Sequence, residues 1–169
     1  MRMMTGLGVL AGLACIGGPA VATTTTTSTF AVSLTIAAQC VINSASTLAF
    51  GSLGVLGGIG GITNNDAQST IAVQCTNTTP FNIGLDGGTG GGDTSTRKLL
   101  NTGSSATVNY KLYSDTLHTV NWGNTVGSDT VSDTGNGASV NYTVYGRIPP
   151  QTTPAPGTYA DVVTVTVTY

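Results

Sequence analysis

The sequence predicts an all-β chain folded as an antiparallel sandwich. The first observation is period-two alternation in short runs. Phe30, Val32, Leu34 and Ile36 share one face, Ile71, Val73 and Cys75 alternate, and so do Phe81, Ile83 and Leu85. Val108, Tyr110 and Leu112 form another set, followed by Val140, Tyr142, Val144 and Ile148. The last set is Tyr159, Val163, Val165, Val167 and Tyr169, with Asp161 the lone exception on that face. A period of two puts alternate side chains on one side of a strand, so each run has a face to bury. The second observation is what separates the runs: glycine-rich stretches at 52–61 and 84–93, a Gly/Asn/Ser/Asp stretch at 121–137, and a proline-rich connector at 149–157. The third is composition. Charged residues make up only 7% of the chain, so the surface must be polar through Thr, Ser, Asn and Gly, which form helices poorly.

A chain of 169 residues suggests one folded domain. Its start reads as an export signal. Arg2 precedes an apolar run from Met3 to Ile16, Gly17, Gly18 and Pro19 break it, and Ala20-Val21-Ala22 offers a small-x-small cleavage site. That run is too short to cross a bilayer comfortably, and no membrane insertion is expected. A competing reading is a lipoprotein signal ending at Leu13-Ala14-Cys15, although Gly12 stands where such signals usually carry an aliphatic residue. The expected plan is therefore a signal at 1–22, a lead-in and candidate strand at 23–37, and the sandwich domain at 38–169. Residues 23–28 are low-complexity Thr and Ser, which read as a flexible lead-in.

Outside the leader two cysteines remain, Cys40 and Cys75. An even pair in an exported chain reads as a disulfide. Closing a loop of roughly 35 residues removes at most on the order of 4 kcal/mol of chain entropy from the unfolded state.

Parts for catalysis are few. Seven aspartates, no glutamate and one histidine, His118, leave no acid–base set, and no local nucleophile signature stands out. His118 reads as a surface residue, and an enzyme is not expected. Two cysteines and one distant histidine do not make a zinc set. The segment from Asp86 to Asp93 has only two carboxylates for calcium and lacks the Gly-Lys-Ser/Thr ending of a phosphate loop. It reads as a flexible connection, and no cofactor or metal is expected. With Arg2 removed, four cations face seven aspartates, a balance of −3, which offers nucleic acid no basic patch. Trp122, in a loop, is a candidate contact residue for a ligand or neighbour.

The amino-terminal run is the remaining signal. Phe30, Val32, Leu34 and Ile36 alternate without a charge between them, just before the first cysteine. Two readings compete. The run is the first strand of its own sandwich, or it is a donor that completes a neighbour, its backbone pairing with an exposed edge while alternate side chains enter pockets. Burying four such side chains is worth roughly 6–12 kcal/mol gross, before ordering and association costs.

Several pieces in order complete the reading: Cys40 followed by Leu48-Ala49-Phe50-Gly51, then Ile71-Ala72-Val73-Gln74-Cys75, and Arg97-Lys98-Leu99 after a glycine-rich loop. Tyr145-Gly146-Arg147-Ile148-Pro149 and the closing stretch from Pro156 to Tyr169 follow. Their order and spacing from Phe30 to Tyr169 resemble the spore coat protein U domain family, which includes shaft subunits of archaic chaperone–usher pili. The resemblance implies an immunoglobulin-like, pilin-type β-sandwich that lacks one strand. It implies a periplasmic chaperone that keeps the subunit soluble, and an outer-membrane usher where the chaperone's strand is exchanged for the next subunit's. By position, Phe30, Val32, Leu34 and Ile36 would be the donor side chains. Val163, Val165, Val167 and Tyr169 would border the acceptor groove and meet the chaperone. The implied role is a structural subunit of a surface fibre, serving adhesion or biofilm formation, with identical or related subunits as partners. The alternative is a monomeric coat or carbohydrate-binding surface module. A plausible donor and a single domain favour a shaft or minor subunit over a tip adhesin.

Overall fold

A computed structural model describes Gly18, residues 21–54, residue 56 and residues 64–169. Most of the expected export signal, Cys15 included, and most of the first glycine-rich stretch lie outside the described residues. The chain divides into two units, Met1–Thr35 and Ile36–Tyr169.

In the first unit, described residues 21–35 form no strand. The alternation from Phe30 therefore has no ladder to sit in. Phe30, Val32 and Leu34 are all more than four-fifths exposed. The reading in which they start their own sheet is not what the structure contains.

The second unit holds nine strands: β1 (Cys40–Ala45), β2 (Asn65–Cys75), β3 (Pro80–Leu85), β4 (Arg97–Asn101), β5 (Thr107–Tyr113), β6 (Val131–Thr134), β7 (Ser139–Ile148), β8 (Tyr159–Ala160) and β9 (Val165–Thr168). They form a six-stranded sheet ordered β1-β2-β7-β5-β4-β8 and a three-stranded sheet ordered β6-β3-β9. Every pairing is antiparallel, and no helix occurs among the described residues. The expected all-β fold class is what the chain adopts.

The core lies between the two sheets. Ile71, Val73 and Cys75 of β2, Val108, Tyr110 and Leu112 of β5, and Val144 and Ile148 of β7 meet Phe81, Ile83 and Leu85 of β3. All are residues whose alternation marks a buried face, and antiparallel sheets with one wet face demand that pattern.

Three elements depart from the sequence reading. The stretch 121–137 contains β6, and Trp122 is not a surface contact residue. Trp122 is 1% exposed, and its Nε1–H donates to the Ile83 carbonyl at 2.8 Å, so its one polar atom is satisfied inside the core. The His118 side chain is likewise mostly covered, 8% exposed, and packs edge-on against Tyr113 and Tyr145. Last, the closing alternation is two strands. β8 pairs with β4 in the large sheet and β9 pairs with β3 in the small one, so the chain changes sheets between Asp161 and Thr164.

Candidate functional site

Large and small sheets do not close on each other along one side. β1 bonds only to β2, and β9 only to β3, so each leaves one edge without a backbone partner among the described strands. β1 runs away from the disulfide and β9 runs toward it, because Cys40 faces Cys75 while Val165 faces Leu85 at the far end of β3. Between these edges lies a groove of about 390 Å³. One wall is the stretch following β1, Ala45–Leu48 and Phe50; the other is Asp161–Val163 and Val165. The floor is apolar core: Ile71, Leu85, Leu99, Tyr110, Leu112 and Val144.

Burial along the last strand records the gap. Val163, Val165 and Val167 all face the core and pack against it, yet each is only half-buried. Inward-facing valines in a closed sandwich would be covered on both sides. Of the four expected border residues, Val163 and Val165 line the groove. Val167 sits at the edge of the core, and Tyr169, 60% exposed, borders a wider depression beside Ile36 and the disulfide.

Each wall is fixed by specific contacts. Leu48 and Phe50 lie over β7 where Gly146 has no side chain; a Cβ there would meet Leu48 Cδ1 at 2.8 Å and Phe50 Cζ at 3.1 Å. Phe50 also stands edge-on to Tyr110, with ring centroids 6.2 Å apart. Gly51 then turns with φ +74°, the left-handed region that glycine enters freely. These contacts explain why Leu48-Ala49-Phe50-Gly51 and Tyr145-Gly146 occur in one sequence.

The other wall hangs on two carboxylates. Asp161 Oδ1 accepts the N–H groups of Thr89 (2.7 Å), Gly90 (2.9 Å) and Val162 (2.8 Å) and the Thr89 hydroxyl (3.1 Å). Its Oδ2 accepts the buried Tyr110 hydroxyl at 2.7 Å. Asp86 Oδ1 accepts the Thr164 N–H at 2.8 Å and the Gly88 N–H at 3.0 Å. The stretch Asp86–Asp93 is thus not a loose tether. It is strapped to the segment that carries Val163 and Val165, and Asp161, an exception by sequence pattern, is the strap. Burial, the Asp161 bond and its charge push the Tyr110 hydroxyl far above the ordinary tyrosine range, so it stays a donor. Behind the loop, Arg97 is fully buried and donates to the carbonyls of Leu85, Asp86, Thr94 and Trp122 at 2.7–2.9 Å. Desolvation lowers its pKa.

Cys40 and Cys75 form the expected disulfide, with a Cα separation of 4.1 Å. It tethers the start of β1 to the end of β2, at the opposite end of β1 from the residues that line the groove. That matters because β1 is exposed along nearly its whole length and has one partner strand.

Residues 26–166 match the Spore Coat Protein U domain, which is most of the chain. The chain belongs to that family. This Spore Coat Protein U domain also shares its fold with a solved structure, although no curated protein matches its sequence. The similar structure is a chain in the crystal structure of a chaperone–tip adhesion subunit pre-assembly complex (CsuC-CsuE) from archaic chaperone–usher Csu pili of Acinetobacter baumannii. The match has a TM-score of 0.51 at 22% identity, over 80% of this chain and 40% of that one. Among the described residues, no three His, Cys, Asp or Glu side chains gather as a metal site.

Proposed function

We propose that this Spore Coat Protein U domain protein is a structural, non-enzymatic subunit of a bacterial surface fibre of the chaperone–usher type. Subunits join when residues 30–36 of one copy fill the groove of another. One observation carries the reading. The same chain holds an apolar groove between two unpaired strand edges and an exposed, unpaired segment with four large apolar residues at strand spacing. A strand laid in the groove would give β1 and β9 backbone partners, and its alternate side chains would cover the half-buried valines.

The remaining parts follow from that reading. Export through residues 1–22 delivers the chain, and residues 38–169 are the domain. A groove that exposes core cannot wait uncovered, so a periplasmic chaperone covers it, with Val163, Val165, Val167 and Tyr169 at its border; the likeness to a chaperone–subunit complex supports this partner. An outer-membrane usher is where one occupant replaces the other. Adhesion or biofilm formation is the role of the finished fibre.

The test is replacement of Leu34 and Ile36 by Asp in cells that assemble the fibre. Fibres should vanish while the domain still folds when supplied with a peptide of residues 27–37. Fibres of normal length and number would remove the donor role from this segment.

A further inference from the structure

Resting on the reading above, the question is why the segment does not fill the groove of its own molecule, since only Ala37-Ala38-Gln39 separate it from β1. The disulfide-linked pair Cys40–Cys75 has its Cα atoms 4.1 Å apart, the close spacing of a non-hydrogen-bonded antiparallel pair. In such a pair the backbone groups point outward, so the N–H and C=O of Cys40 face the open edge of β1. Those of Gln39 face the other way. The Gln39 N–H donates to Thr76 Oγ1 at 3.1 Å, and its carbonyl accepts the Thr76 N–H at 2.9 Å.

Folding residues 30–36 back along β1 with Ile36 kept in the ladder therefore allows two tight hairpins; a longer loop leaves Ile36 out. A two-residue loop, Ala37-Ala38, would close on Gln39, whose backbone is turned away and already bonded to Thr76. It would also need positive φ at both alanines, or at the first of them, where glycine or asparagine is the fitting residue. A three-residue loop would close Ile36 on Cys40, and would put Gln39 at the left-handed third position that glycine fills in such loops. Gln39 is not among the residues with positive φ, and moving it there breaks both bonds to Thr76.

We propose that the connector Ala37-Ala38-Gln39 bars self-completion with Ile36 in the ladder, and that the full four-residue set is thereby committed to the groove of a second copy. Polymerisation is then a consequence of a short connector as much as of an open groove.

The mature chain is compared with two variants: Gly-Ser-Asn-Gly-Ser-Gly inserted between Ala38 and Gln39, and Gln39→Gly. Each is refolded across a dilution series, sized by light scattering, and followed by hydrogen exchange at residues 30–36, with and without an added peptide of residues 27–37. The parent should polymerise as concentration rises, exchange freely at 30–36 when dilute, and bind the peptide. The insertion should give a monomer at every concentration, with 30–36 protected and peptide binding lost; Gln39→Gly should move part of the way. A dilute parent monomer already protected at 30–36, or an insertion variant that polymerises like the parent, overturns the inference and leaves the groove reading standing. If no form protects 30–36 and the parent does not bind the peptide, the groove reading falls and takes the inference with it.

Discussion

Replacing Asp161 separates a structural strap from a chance polar residue on an apolar strand. Asp161→Ala removes five hydrogen bonds at once. Three donors, the N–H groups of Thr89, Gly90 and Val162, lie at or near the surface and regain water. Each then costs about 0.5 kcal/mol, the low end for a lost hydrogen bond. Tyr110 is only 4% exposed, and its orphaned hydroxyl costs about 2 kcal/mol. The total is about 3–4 kcal/mol. Asp161→Asn keeps an oxygen in the Oδ1 position and places an amide opposite Tyr110, whose hydroxyl turns to accept. It loses charge assistance and leaves the Tyr110 O–H without an acceptor while its oxygen stays bonded, together about 2 kcal/mol. Urea unfolding of the peptide-complemented domain measures both values. Peptide affinity should weaken in the same order, because the strap carries the wall with Val163 and Val165. Equal losses for Ala and Asn, or an Ala loss below about 1 kcal/mol, would refute the strap.

Other outcomes follow from the same contacts. Gly146→Val should displace Leu48 and Phe50, costing about 1–3 kcal/mol as an overpacked site, and lower peptide affinity; an unchanged affinity would detach that wall from the groove. The double change of Cys40 and Cys75 to Ser opens a disulfide spanning 35 positions, and should cost up to about 4 kcal/mol in urea titration, with β1 amides losing protection first; uniform loss would count against β1 as the weak edge. In acid, the direction is set by five lowered aspartates; the Ser95 hydroxyl holds Asp93 down and the Val120 N–H holds Asp115 down. The paired Arg147 bonds hold Asp66 below the usual carboxylate range. Burial alone would raise Asp86, but the Thr164 and Gly88 bonds and Arg97 outweigh it and lower it. The Tyr142 hydroxyl lowers Asp133. A depressed folded-state pKa gives stability that is complete above the unfolded value and lost as pH falls through the folded one. The melting temperature should hold from neutrality to about pH 5 and drop below about pH 4; a rise in acid would contradict these contacts.

Much of the fold is legible because burial in an antiparallel sheet imposes a period of two. The alternating sets from Ile71 to Ile148 supply most of the core, and the closing set packs against it half-buried, with Tyr169 left exposed. β1, β4 and β6 escape for the converse reason: β1 and β6 are edge strands that bury little, and β4 fixes its place through the buried guanidinium of Arg97, so none alternates. Trp122 and His118 sit in polar loops, and only the tertiary structure shows that those loops fold inward. The groove itself is not a sequence pattern at all. It is the lack, among the described strands, of a neighbour beside β1 and β9, which alternation at Val163, Val165 and Val167 cannot register. Asp161 is visible as a broken pattern, but its partners Thr89, Gly90 and Tyr110 are distant in the chain, so its purpose is not.

The most direct measurement is a cryo-electron microscopy structure of the assembled fibre, resolved well enough to trace backbone. Residues 30–36 of one copy should lie between β1 and β9 of the next, with Phe30, Val32, Leu34 and Ile36 facing the floor of Ile71, Leu112 and Val144. A groove left empty, or filled by residues of its own chain, would contradict assembly by strand donation.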